Sequence, residues 1–177
     1  EGFAPKERAQ LALTHYDHEV ERLGESYLET VYGGGLVLWC ESVGGHDYAI
    51  HLEPGNDVIY AGGLSLVFRI DGARVGLISF SWVNEGLVTG SAATGLVPFV
   101  TRHQTTSDRS YQKDFHKAFS GVKPAKLLLG ALAGMCAAEQ SPRILAIPAA
   151  RHPLAAEGNV SRLLASYDTV WETQGGG

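Results

Sequence analysis

The 177-residue chain has few cysteines and few positive charges, and each shortage excludes a class of protein. Two cysteines, Cys40 and Cys136, cannot build the disulfide framework of a small secreted domain, and no spacing motif marks either as a nucleophile. Both lie in apolar runs, which predicts buried, reduced thiols in a cytoplasmic protein. With 14 lysines and arginines against 19 acidic residues, the net charge of −5 argues against a general nucleic-acid binder.

Long hydrophobic runs and the familiar nucleotide and nucleophile motifs are also missing. No stretch reaches the length of a transmembrane helix, and no signal peptide is visible. Neither a P-loop, a dinucleotide fingerprint nor a nucleophile elbow occurs, and Gly33-Gly34-Gly35 lacks the spacing of such motifs. The apolar fraction of 45% is sufficient for a sizeable core, so we expect a single domain over residues 1–177.

Two kinds of periodicity divide the chain. Apolar residues three and four positions apart are typical of helices, whereas short β-rich runs bounded by turn residues are typical of strands. The predicted helices lie over residues 5–31, with a division at Gly24, and over residues 107–119, 124–140 and 158–173. The predicted strands lie over residues 36–43, 48–52, 64–70, 74–82, 96–101 and 144–147.

The turns between the strands indicate how the strands pair. Asp71-Gly72 is a strong hairpin signal, and Asn84-Glu85-Gly86 predicts another tight turn. Strands joined by such short connections must be antiparallel. The predicted fold class is therefore α+β, with a mostly antiparallel central sheet and flanking helices.

The segment before the helix at 124–140 has the features of an anion-binding site. Pro124 suits the first turn of a helix, and this helix is apolar on almost every side, which predicts that it is buried. Its N-terminus offers free N–H groups and partial positive charge, and Lys117, Lys123 and Lys126 flank it. We expect a ligand that carries phosphate or carboxylate.

A set of short motifs distributed over most of the chain carries a family resemblance. They are His15-Tyr16, Gly63-Leu64-Ser65-Leu66, Ser79-Phe80-Ser81, Gln104, Lys117-Ala118-Phe119, Gly121-Val122-Lys123-Pro124, Leu127-Leu128, His152, Tyr167-Asp168 and Trp171-Glu172. With these motifs the chain resembles the VirK/YbjX-like family of bacterial proteins, whose domain has no known function. The resemblance implies a role in bacterial virulence and envelope defence.

The chain departs from the family pattern at four positions. The family usually has threonine in place of His116, histidine in place of Ser120, arginine in place of Lys123 and glycine in place of Thr105. These departures indicate a divergent member with a changed substrate. The loss of the family histidine at Ser120 is also consistent with a catalytically inactive member of a biosynthetic cluster. Members are usually longer at the N-terminus, so we expect a preceding segment.

The order of elements is also similar to the GNAT acyltransferase fold, in which a loop and a helix N-terminus hold coenzyme A. The corresponding loop here, residues 120–125, lacks the expected glycines, and Pro124 removes one N–H donor. The similarity therefore implies an acyl or aminoacyl donor other than coenzyme A. A donor attached to a carrier protein or to tRNA would satisfy this requirement.

The candidate catalytic residues are His152 and Gln104. His152 follows the last predicted strand, and its ordinary pKa suits a general base, although a loop histidine before Pro153 explains it equally. Gln104 could bind a ligand carbonyl or be a surface amide. The candidate ligand-binding residues surround the helix start: Lys117, Lys123, Lys126, Ser120 and Gly121.

The remaining histidines predict no metal site. His15 and His18 are three residues apart on a helix beside Asp17 and Glu19, but no third ligand is defined, whereas zinc needs three or four. We expect His15 and Tyr16 to pack against the core.

Two functions follow as hypotheses. The first is a GNAT-like transferase that moves an acyl or aminoacyl group from an anionic donor to an amine, with a small-molecule or carrier-bound substrate. The second is a non-catalytic protein that binds a ligand or a protein partner. An enzyme requires His152 to point into a pocket beside Lys117 or Lys123.

Overall fold

A six-stranded sheet forms the centre of the computed structural model, which describes residues 3–55, 62–106, 109–152, 155, 164 and 168–173. The strands are β1 Leu36–Val43, β2 His46–Pro54, β3 Leu64–Ile70, β4 Ala73–Asn84, β5 Leu96–Thr105 and β6 Leu145–Ala146. Their spatial order follows the chain from β1 to β6. The first five pair antiparallel, and β6 pairs parallel to β5 after a helical crossover. The predicted fold class is confirmed.

The helices precede and follow the antiparallel strands. They are α1 Pro5–His18, α2 Glu25–Gly34, α3 Glu85–Thr89, α4 Arg109–Ala118, α5 Pro124–Ala138 and α6 Asp168–Glu172. A π-helical segment, Glu19–Leu23, extends α1, and Gly24 with its positive φ separates it from α2 as predicted. Of the helix predicted over residues 158–173, residues 158–163 and 165–167 lie outside the described part of the chain.

The turn predicted at Asn84-Glu85-Gly86 was wrong, because α3 begins there. The Asn84 side chain accepts a hydrogen bond from the Leu87 N–H at 3.3 Å, which is the contact of a helix N-cap. Asparagine is favoured both in turns and at N-caps, so the local sequence did not distinguish the two.

The main core lies between one face of the sheet and the helices α2, α4 and α5. Its largest fully buried side chains come from the central strands and from the two crossover helices; they include Trp82, Tyr48, Phe68, Phe80, Phe115, Leu128 and Leu132. The ring of Phe115 packs on both Tyr48 and Phe68, with centroid separations of 5.8 and 5.0 Å. These contacts fix α4 over β2 and β3.

Two burial predictions need correction. The α5 helix is buried on one face only: Leu129 and Cys136 lie on the core side, whereas Gly130 and Gly134 are exposed. Glycine and alanine make the exposed face apolar in sequence without requiring cover. Cys40 on β1 is exposed as well, while Cys136 is buried as predicted.

Within the described ranges, none of the helices combines the length and the apolar character needed to cross a bilayer.

Candidate functional site

A cleft of about 780 Å³ lies between the exposed face of α5 and the edge strand β1. Leu38 and Trp39 of β1 and Ile50 of β2 line one side, and α5 lines the other from Lys126 to Ala138. The loop at residues 120–122 closes the end at the start of α5. This volume falls within the range of small-molecule sites.

The local sequence explains both walls of the cleft. On α5, a Cβ atom added at Gly130 or Gly134 would meet nothing within 4 Å, so the missing side chains leave the helix surface recessed. On β1, a register shift between Val37 and Trp39 marks a bulge. A bulge interrupts the strict alternation of strand side chains, so the neighbours Leu38 and Trp39 both line the cleft.

The two ends of the cleft differ in charge. Among the described lining residues, Lys126 is the one charged side chain, and it lies in the first turn of α5. Lys123, the N-cap residue of this helix, makes no side-chain capping bond, so the positive end of the helix dipole is not neutralised there. At the other end, Glu139 follows Ala138 and lies 3.7 Å from His18 Nε2. An anionic group is therefore favoured at the Lys126 end.

Three of the predicted ligand-binding residues line this cleft. They are Ser120, Gly121 and Lys126. The other two, Lys117 and Lys123, are exposed at the end of α4 and the start of α5, and neither belongs to the described lining.

The predicted catalytic residues lie elsewhere. His152 is buried and hydrogen-bonded to the backbone of Thr101 on β5, and burial lowers its pKa. Gln104, also on β5, is exposed and accepts a hydrogen bond from Arg102 Nη2 at 2.6 Å. Four strand spacings separate β5 from β1, on the order of 19 Å. The structure therefore does not bring His152 or Gln104 to the cleft.

His116 lies beside Gly121, a residue that lines the cleft, although His116 does not itself belong to the described lining. A methyl group added at Gly121 would lie 3.3 Å from the His116 ring, and Gly121 itself has a φ of 87°, which favours glycine. The sequence indicated this histidine as a departure from the family pattern and as one of two histidines, with His103, that flank the segment 107–115, but it assigned His116 no role. Its ring is thus one residue removed from the described lining of the cleft.

A second polar group of residues is buried under α1. Glu19, fully buried in the π-helical segment, accepts hydrogen bonds from the hydroxyls of Tyr27 at 3.1 Å and Tyr32 at 2.6 Å. His15 Nδ1 accepts a hydrogen bond from the backbone N–H of Trp82 at 3.3 Å, which places the imidazole proton of His15 on Nε2. We call these residues the His15–Glu19 cluster.

Burial governs the protonation of the His15–Glu19 cluster. His15 Nε2 lies 3.2 Å from Glu19 Oε2, but the N–H does not point along this line well enough for a good hydrogen bond. Desolvation raises the pKa of Glu19 and lowers the pKa of His15 to about 4. The cluster holds α1 to the sheet, because His15 accepts a hydrogen bond from the backbone of β4. It holds α2 to the π-helical segment that extends α1, because Glu19 accepts hydrogen bonds from both tyrosine hydroxyls of α2.

Motifs that are far apart in the sequence meet at this cluster. The His15 ring packs so closely on Gly63 that a Cβ there would overlap it, and the Gly63 N–H donates to Ser81 Oγ at 2.8 Å. His15 therefore packs against the core, as expected, but the same prediction for Tyr16 was wrong, because this residue is 50% exposed. In the described ranges, no group of three or more His, Cys, Asp or Glu side chains is placed to share a metal ion.

Comparison with known proteins gives a family but no activity. The model of the family described as "Protein of unknown function (DUF535)" matches residues 1–177, and this is the family to which the VirK/YbjX-like proteins belong. No curated protein and no solved structure matches the chain, so the similarity to the GNAT fold receives no support.

Proposed function

The chain belongs to the DUF535 family, whose description assigns no activity, and we propose from the cleft that it binds a small anionic amphiphile. The apolar part of the ligand lies between α5 and β1, and its phosphate or carboxylate lies beside Lys126. The observation that carries this proposal is a cleft with apolar walls and one cationic side chain at one end.

In this proposal the apolar part of the ligand supplies most of the binding free energy, and the ion pair with Lys126 supplies less. Burial of about 200 Å² of ligand hydrocarbon is worth roughly 5 kcal/mol before the cost of association. Lys126 is exposed, so its ion pair with the ligand contributes only about 0.2–1 kcal/mol. Inorganic phosphate alone should therefore bind weakly, and an alkyl phosphate should bind well.

Acyl or aminoacyl transfer to an amine is a second candidate function, and the position of His116 favours it. In this reaction the amine nitrogen attacks the acyl carbonyl, a C–N bond forms, and the bond to the donor oxygen or sulfur breaks. His116, whose ring packs beside Gly121, would accept the amine proton and return it to the leaving group. His152 is too far from the cleft for this role.

Titration of Trp39 fluorescence with dodecyl phosphate, kept below its micelle concentration, tests the binding function. Trp39 lines the cleft and should respond to occupancy. Gly134→Leu should weaken binding at least about tenfold because the leucine side chain would occupy open space in the cleft. Ala133→Leu is the matched control, since Ala133 is exposed on α5 outside the described lining and should leave binding unchanged.

The charge is tested separately with Lys126→Gln, which should weaken dodecyl phosphate binding by about two- to fivefold. The matched control is Lys113→Gln, an exposed lysine of α4 outside the described lining. Equal loss in Gly134→Leu and Ala133→Leu, or no binding of dodecyl phosphate by the wild type, would contradict the proposal.

A further inference from the structure

We infer that the apolar part of the ligand is a single unbranched acyl or alkyl chain, and that the cleft limits the length of this chain. This inference rests on the proposed binding function and specifies the ligand class for the same cleft.

The arrangement of the lining residues on α5 defines a straight channel. Lys126, Gly130, Gly134 and Ala138 all line the cleft at intervals of four residues, so they form one row along the helix. The neighbouring row supplies Leu127, Ala131 and Met135. Two adjacent rows on one helix make a path that is elongated along the helix axis, and an extended chain can contact it over its whole length.

The length of this path sets the length of the chain. From Lys126 to Ala138 the helix advances about 18 Å at 1.5 Å per residue. An extended hydrocarbon advances about 1.25 Å per carbon, the projection of a C–C bond of about 1.5 Å at a tetrahedral angle. The channel therefore accommodates roughly 14 carbons.

Charge fixes the orientation and the number of head groups. A single lysine lines the described cleft, so one anionic head group is expected there. At the opposite end, beside Ala138, the described lining contains no cationic side chain that could pair with an anion. The chain thus runs from its head at Lys126 toward Ala138.

The test is a calorimetric series of n-alkyl phosphates from about 6 to 18 carbons, each below its micelle concentration. Affinity should rise about fourfold per methylene and level off near 14 carbons, because further methylenes find no channel. Gly134→Leu should move this plateau to roughly 10 carbons, since it blocks the channel about 12 Å from Lys126. Ala138→Leu, at the far end, should move it by only a few carbons, and Ala133→Leu should not move it.

The outcomes separate this inference from the proposed function. Alkyl phosphates of 8 and 14 carbons that bind equally well, or 1-naphthyl phosphate that binds more tightly than dodecyl phosphate, would overturn the chain-length inference while the binding function stands. A plateau that Gly134→Leu does not move would also overturn it. Failure of every anionic amphiphile to bind would overturn both.

Discussion

His15 makes the stability of the fold depend on pH in a way that can be measured. The side chain is buried in the His15–Glu19 cluster, where desolvation lowers its pKa from 6.5 to about 4. In the unfolded chain the same imidazole regains its ordinary pKa. As the pH falls below 6.5, the unfolded state therefore binds a proton that the folded state does not bind until about pH 4.

The sign and size of the effect follow from this difference. The contribution of His15 to the free energy of unfolding is complete above pH 6.5 and is lost as the pH falls toward 4. Integrated over this window, the loss is about 3 kcal/mol. The raised pKa of Glu19 acts in the opposite direction, because Glu19 takes up its proton in the folded state first.

The assay compares the wild type with His15→Asn by urea unfolding at several pH values. The side chain of asparagine does not titrate, and its amide oxygen, near the position of Nδ1, can accept the hydrogen bond from the backbone N–H of Trp82. The stability difference between the two proteins should shrink by about 3 kcal/mol from pH 7 to pH 4, since other groups titrate in both proteins. A difference that stays constant would show that folding does not lower the pKa of His15, and one that grows as the pH falls would show that folding raises it; either result would refute the reasoning.

Two further predictions concern thiols and buried hydroxyls. Near neutral pH, a disulfide reagent such as DTNB should label Cys40 rapidly and Cys136 only after unfolding, because Cys136 is buried and its pKa is raised to about 11. Rapid labelling of both thiols would contradict the burial of Cys136. Ser65 Oγ and Ser79 Oγ form a buried hydrogen bond of 2.8 Å, so Ser79→Ala should cost about 1–3 kcal/mol in a thermal or urea melt by leaving Ser65 unpaired. The double alanine variant should be closer to wild type, and equal destabilisation of both variants would argue against the pair.

The fold was predictable where local sequence determines the structure. The bounds of β1 and β3 agree with the predicted strands because glycines and the Asp71-Gly72 turn mark their ends. The division of the first helix at Gly24 followed from the conformational freedom of glycine. By contrast, the exposed face of α5 was not predictable, because apolar glycines and alanines have the same sequence pattern whether or not another element covers them.

The site was predictable in part, for a reason that lies in the sheet order. Ser120, Gly121 and Lys126 are close in sequence to the start of α5, so the local argument placed them together. Trp39 joins them only because β1 is an edge strand beside α5, which depends on pairing across the whole sheet. His152 follows β6, and β6 lies at the opposite edge of the sheet from β1.

The most direct test of the proposed function is a crystal structure of the protein with dodecyl phosphate. The account predicts an alkyl chain along the row Gly130, Gly134 and Ala138, with the phosphate within ion-pair distance of Lys126 Nζ. A chain bound outside the cleft, or one whose phosphate lies at the Glu139 end, would contradict it.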